Sequence, residues 1–153
     1  MWFVCVHDHG SIRLIFECAR SADRFGVGLR DCRMSYEVSV PEGCEYVLVK
    51  WSGTAPVEET QRAGIDAINR VNAEGFSRIL VDVTDVTQKR SVLDQYTATD
   101  KNSKLSSPRP RCALLGRPDQ ESELGFVETV GRNRGMVLRA FTDRTEALAW
   151  LME

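Results

Sequence analysis

Met136-Val-Leu-Arg-Ala-Phe141 runs straight into Thr142-Asp-Arg-Thr-Glu-Ala-Leu-Ala-Trp-Leu151, and this stretch decides the fold. The first part reads as a short strand and the second as a helix that begins at once behind it. Asp143 is placed to cap that helix, and Glu146, three residues on, completes a capping box. Upstream, the same strand-then-helix unit recurs three more times, which makes a four-fold alternation.

Tyr46-Val-Leu-Val-Lys-Trp51 is a β-rich run that ends at Ser52-Gly53. Thr54 to Glu74 reads as a helix, with Thr54 as cap, Pro56 in the first turn and Glu58-Glu59 at the positive end of the dipole. Val57, Gly64, Ile68 and Val71 recur at helical spacing with Ile65 beside them, and Gly75 stops the helix. Ser77-Arg-Ile-Leu-Val-Asp-Val83 is the next strand, and its unbroken apolar centre predicts a sheet covered on both faces. Thr84 to Arg90 reads as a polar loop. A helix with a thin apolar stripe follows from Ser91 to Lys104, then a stiff connector at Ser106-Ser-Pro-Arg-Pro110. Arg111-Cys-Ala-Leu-Leu115 is a strand. Asp119 to Arg132 is a helix with Phe126, Val127 and Val130 facing inward, and Gly131 and Gly135 bracket its end. Strands alternating with helices of this length predict parallel pairing and right-handed crossovers.

Residues 1–33 stand outside this rhythm. Trp2–Val6 and Ile12–Phe16 read as a hairpin around His7-Asp-His-Gly10, and Glu17 to Arg33 has no period. Met34-Ser-Tyr-Glu-Val-Ser-Val40 alternates like an edge strand, and Pro41-Glu-Gly43 turns it back on Tyr46–Trp51. The expected organisation is an N-terminal extension over 1–33 and one domain over 34–153. The fold class is therefore α/β: a mixed, mostly parallel four- to five-stranded sheet with helices on its faces and a leading antiparallel hairpin.

The 153 residues suffice for one domain with a real core. Lys and Arg number 20 against 22 Asp and Glu, a net charge of −2 that supplies no drive toward nucleic acid or anionic membranes. The five cysteines (Cys5, Cys18, Cys32, Cys44, Cys112) form no CxxC pair and are odd in number, which fits reduced thiols in a cytoplasm. No apolar run approaches the roughly 20 residues of a membrane helix, and Trp2–Val6 is too short for a secretory signal core.

The order and spacing of Met34-Ser-Tyr-Glu-Val, Val47-Leu-Val-Lys-Trp-Ser-Gly53, Ile79-Leu-Val-Asp-Val-Thr84 and Phe141-Thr-Asp-Arg-Thr-Glu-Ala-Leu-Ala-Trp-Leu151 resemble the bacterial SpoIIAA-like proteins of the STAS superfamily, in the branch also described as STAS/SEC14-like. The resemblance spans Met34 to Met152. It implies a mixed sheet with a leading antiparallel strand, and it implies no single chemistry. Some STAS relatives bind partner proteins under phosphorylation control, some bind nucleotides, and SEC14-like relatives bind lipids. In the anti-sigma-factor antagonists of the superfamily a phosphorylated Ser opens the helix after the second main strand. Counting from Val81-Asp-Val-Thr84 puts Ser91 on that phosphoacceptor position. The family's preceding Asp is Arg90 here, and its following Ser-Gly is Val92-Leu93.

Each candidate site also has a plainer reading. A phosphate on Ser91 would sit at a helix N-terminus with Lys89 and Arg90 nearby to pair with it, whereas an unmodified Ser there is a sufficient N-cap. The carboxyl ends of the strands, where parallel sheets bind ligands, gather Ser52, Thr84, Asp85, Thr87, Arg117, Asp119, Thr142 and Asp143. Arg117 is the anion-holding candidate beside Asp119, and loop composition and capping account for the same residues. Cys5, His7 and His9 alternate on one strand face and with Cys18 make a set of zinc-ligand types, but alternation over five residues is common and no metal is expected. Asp82 and Asp85 are expected to point to opposite faces or into the loop. Both histidines lie within 1–33, so residues 34–153 lack the usual general base, and no cofactor motif is present. The function expected is a non-enzymatic regulatory module that binds a protein partner through the Thr84–Tyr96 loop and helix start. The alternative is a SEC14-like carrier of a lipid or other small ligand.

Overall fold

A computed structural model describes residues 6–8, 11–13, 36–53, 56–87, 91–105 and 109–153. The strands are β1 (Val6–Asp8), β2 (Ser11–Arg13), β3 (Tyr36–Ser39), β4 (Val47–Gly53), β5 (Arg78–Val86), β6 (Arg111–Leu115) and β7 (Val137–Phe141). The helices are α1 (Val57–Glu74), α2 (Val92–Asn102), α3 (Glu121–Asn133) and α4 (Arg144–Met152), with a 3-10 turn at Pro118–Gln120.

One mixed sheet carries the strands in their chain order. β3 pairs antiparallel with β4, Tyr36 opposite Trp51, and β4 to β7 are parallel throughout. These five strands form the sheet that the alternation predicts. β1 and β2 form an antiparallel hairpin, but His7 and Asp8, expected in its turn, are strand and pair with Ile12 and Ser11; among the described residues the hairpin meets β3 at Ser11 opposite Ser39. Cys5, His9 and Cys18 of the cysteine–histidine set lie outside the described residues, as do Thr54, Lys89 and Arg90.

Sequential strand order has a direct consequence. Right-handed crossovers between neighbouring parallel strands all pass over the same face. Accordingly α1 packs on α2 and α2 on α3, while α4, which no strand follows, is free to fold against the opposite face over β5, β6 and β7. The apolar strands thus have cover on both faces, three helices on one and one helix on the other. The first layer buries Val47, Val49, Trp51 and Ile79 against Ala63, Ala67 and Val71 of α1, and Leu114 and Leu138 against Leu124 of α3. The second buries Leu80, Ala113, Leu115 and Phe141 under Ala147 and Leu151. Leu80, Leu151 and Val47 are fully enclosed, and truncating either leucine to alanine would cost about 2–5 kcal/mol.

The inward stripe of α1 is Ala63, Ala67 and Val71, with Ile68 at its margin, while Ile65 is exposed. Small residues form the stripe because the helix lies close to the sheet. Pro56 is the N-cap residue of α1 rather than part of its first turn; its extended ψ of 150° leaves its carbonyl to accept the first helical bond from Thr60 N at 3.0 Å. Gly75 ends α1 in the left-handed conformation, and Phe76 N closes back on Val71 O at 3.0 Å. Asp143 caps α4, accepting from Glu146 N at 2.9 Å.

Candidate functional site

β5 continues three residues beyond Val83, so Thr84, Asp85 and Val86 are strand rather than loop. Two anchors extend it. Thr87 N donates to Gly53 O at 2.9 Å, and the Arg117 guanidinium donates through Nη1 to the carbonyls of Thr84 and, at 3.1 Å, Val86. The pairing of β4 with β5 shifts on the way: Lys50 faces Asp82, whereas Ser52 faces Asp85. The extra β5 residue resets the alternation of side chains between faces. Asp85 consequently reaches Lys50 at 3.0 Å, and both Asp85 and Asp82 hold the Lys50 ammonium above its ordinary proton affinity. The two aspartates therefore act on one side of the sheet, contrary to the opposite faces that strict alternation predicts.

Asp82 is buried beneath the start of α4. Its Oδ1 accepts from Thr84 N at 3.0 Å and Thr84 Oγ1 at 2.6 Å, and its Oδ2 accepts from Arg144 Nη1 at 3.2 Å. The carboxylate ties β5 to the first residue of α4 across 62 positions of chain.

Arg117 is equally engaged. Besides the two carbonyls, its Nε and Nη2 reach Asp119 Oδ1 and Oδ2 at 2.9 and 3.2 Å, a bidentate pair that raises its proton affinity further. Four of the five guanidinium N–H groups are thereby used inside the chain. Gln120 completes the latch: Arg117 N donates to its Oε1 at 2.8 Å, and its Nε2 reaches the carbonyls of Val83 and Val86 at 3.4 Å. The turn packs closely on Gly116. A Cβ there would sit 2.8 Å from Leu124 Cδ1 and 2.9 Å from Gln120 Oε1. Arg117, Asp119, Thr84 and Val86 thus form a clamp on the end of β5, and sequence reasoning missed Gln120 and Asp82 as its partners. An i to i+3 spacing of Arg117 and Gln120 carries no such signal, because their shared targets lie more than thirty positions away.

Beyond the clamp the chain enters α2. Ser91 is its N-cap, exposed, with Oγ accepting from Asp94 N at 3.1 Å. Behind it Val92 and Leu93 are 65% and 71% exposed and Tyr96 41%. The inner face of α2 is polar for a buried surface, built from Gln95, Ala98 and Thr99. Arg134, at the C-cap of α3, lies 5.1 Å from the Tyr96 ring centroid and donates through Nη2 to its hydroxyl, so the ring is held in place from outside α2. Ser52, Thr142 and Asp143 lie exposed at the ends of their strands. Among the described residues no group of three His, Cys, Asp or Glu side chains is placed to hold a metal ion, and no helix is long and apolar enough to cross a membrane.

No family model matches the chain, and no curated protein matches it. Among solved structures, the chain is similar to an anti-sigma factor antagonist from Mycobacterium paratuberculosis, at 18% identity and a TM-score of 0.50, over 78% of this chain and 97% of that one. The two chains share a fold. A second similar structure is an uncharacterized protein of the DUF3478 family with a SpoIIAA-like fold from Shewanella loihica PV-4, at 18% identity and a TM-score of 0.46, over 76% of this chain and 91% of that one. At such identity the likeness is one of architecture. Here the strand that carries Val81-Asp-Val-Thr84 is followed by α2, and Ser91 is the residue that opens that helix.

Proposed function

We propose that the chain is a non-enzymatic regulatory module of the cytoplasm that binds a protein partner through the first turn of α2. The observation that carries this is the cluster of Val92, Leu93 and Tyr96. Among the described residues six large apolar side chains are left exposed, and three of them fall within these five positions. Exposed apolar side chains grouped beside a fixed aromatic ring are the ordinary composition of an interface centre. The polar residues at the strand ends favour the same reading by elimination: Asp82, Arg117, Asp119 and Gln120 are spent on holding β5, α3 and α4 in register. A protein named as an anti-sigma factor antagonist shares this fold, which agrees with a partner that is itself a protein.

Ser91 is the position at which such a surface would be switched. A phosphate there would bring a charge of about −1.5 to −2 to the free N–H groups of the helix start, directly beside Val92 and Leu93. Asp94, in the same turn, would oppose it.

The test uses the tagged full chain. Wild type should retain one protein from the source cells in near-equal molar amount, and Leu93→Glu should lose it with an unchanged melting temperature. Retention of the same protein by both chains would remove the first turn of α2 as the interface. Ser91→Asp should weaken the complex, and an unaltered affinity would count against the switch.

A further inference from the structure

Under α1, on the three-helix face, the packing is incomplete. A cavity of about 130 Å³ lies between α1, the end of α2, the chain leading into β6, and the sheet. Its walls are Trp51, Ala67, Ile79, Val81, Cys112 and Met136. It is several waters in size and partly open to solvent on one side. Water is a poor occupant, because an ordered water needs two to four polar partners and these walls are apolar. The Cys112 thiol adds no charge: burial pushes it up to about 12, so it stays protonated at neutral pH.

Thr60, Ser103 and Arg109 also line it, but their side chains already donate to the carbonyls of Pro56, Asp100 and Arg134. Asn102, the last residue of α2, lines the cavity, and its Oδ1 is shut off from solvent and accepts no hydrogen bond from any described residue. It is held there by close packing on α1. A Cβ at Gly64 would lie 2.6 Å from Asn102 Oδ1 and 2.8 Å from Leu105 Cδ1, so a larger residue there would push these side chains from their places. A buried acceptor without a donor is costly in a folded chain, and a ligand's hydroxyl is the complement it lacks.

We propose that this cavity binds a small, uncharged, largely apolar molecule with a single hydroxyl donor, of the size of a phenol or a six- to eight-carbon alcohol, seated on the apolar walls and donating to Asn102 Oδ1. The size follows from precedent for dry cavities: about 150 Å³ lined by apolar side chains accommodates benzene. A phospholipid or a nucleotide needs pockets of roughly 300–1,000 Å³. The absence of a formal charge follows from the walls, which offer no counter-charge, and from the penalty for burying an ion without one. Arg109 at the margin is exposed and donates to Arg134 O, so its charge stays outside. This site is separate from Val92, Leu93 and Tyr96, and neither stands or falls with the other.

Phenol, toluene and benzoate distinguish the alternatives. Each is titrated into the isotope-labelled full chain while amide shifts are followed. Phenol should shift residues of α1, the end of α2 and the facing strands, and it should bind about fivefold more tightly than toluene, the gain of one neutral hydrogen bond. Benzoate should not bind. Ala67→Leu should fill the space and abolish phenol binding while the melting temperature holds or rises. Asn102→Leu leaves the walls intact and should bring phenol down to the affinity of toluene, which keeps the proposal testable should Ala67→Leu fold poorly. No shift with phenol, shifts centred elsewhere, or unchanged phenol preference in Asn102→Leu would each overturn it. Benzoate binding as tightly as phenol would overturn the uncharged class.

Discussion

Replacing Asp82 by alanine should be among the most damaging single changes at the polar end of the sheet, although no apolar contact is lost. Asp82 is 4% exposed, and it is the common acceptor for Thr84 N, Thr84 Oγ1 and Arg144 Nη1. Without it Thr84 N is stranded in a partly buried position, at about 1–3 kcal/mol. The Thr84 hydroxyl can rotate toward water and costs less. Arg144 is 50% exposed on its side chain, so its charge resolvates and contributes under about 1 kcal/mol. The sum is about 3 kcal/mol. With an unfolding entropy of about 2.1 cal/mol/K per residue, this lowers the melting temperature by about 10 °C. Asp82→Asn keeps an acceptor for Thr84 and should recover more than half of the loss, and Arg144→Ala should cost under about 1 kcal/mol. Urea titrations of the three variants give the free energies directly. If Arg144→Ala proves as harmful as Asp82→Ala, the ion pair rather than the Thr84 bonds holds the strand, and the assignment of the anchor is wrong. If Asp82→Ala is neutral, Asp82 is not an anchor at all.

Cys112, with its thiol pushed up to about 12 by burial against an ordinary value of 9.0, should react with iodoacetamide at pH 8 about a thousandfold more slowly than an ordinary thiol, rising tenfold per pH unit; peptide mapping that finds Cys112 labelled as fast as in urea would refute the burial. The same shift makes the folded chain keep a proton that the unfolded chain has released between pH 9 and 12, so stability should fall across that window and not below it. Deleting residues 2–33 should leave the melting temperature nearly unchanged, because among the described residues the hairpin of β1 and β2 meets β3 at the single pair Ser11–Ser39; a drop of more than a few degrees would show that the domain does not begin at residue 34.

Much of the architecture was legible because it is written in local chemistry. The Asp143 cap, the Gly75 stop, the Pro41–Gly43 turn and the apolar centres of β4 and β5 each act within a few residues of themselves. The candidate site was legible only in part. Ser91 is the N-cap that its position ahead of α2 predicts, whereas Thr84, Asp85 and Val86 read as loop because they are polar or follow polar residues, and they are strand because Arg117 and Gln120 reach back to their carbonyls from across β6. Leu124, absent from the expected inward set of α3, is more deeply buried than Phe126 or Val127. The helix starts at Glu121, after the 3-10 turn, and Leu124, Val127 and Gly131 share one face at i, i+3 and i+7.

The amino-acid sequence by itself determined the class of fold, since the periods of its apolar residues and the residues at its turns allow little else. It also determined that residues 34–153 carry no histidine. Which face each helix covers, which of the strand-end residues are already bound to one another, the cavity under α1 and the exposure of Val92 and Leu93 were decided only in three dimensions. Those properties depend on contacts between positions thirty to sixty residues apart, and a linear pattern holds no record of the one-residue shift in β5 that put Asp85 beside Lys50.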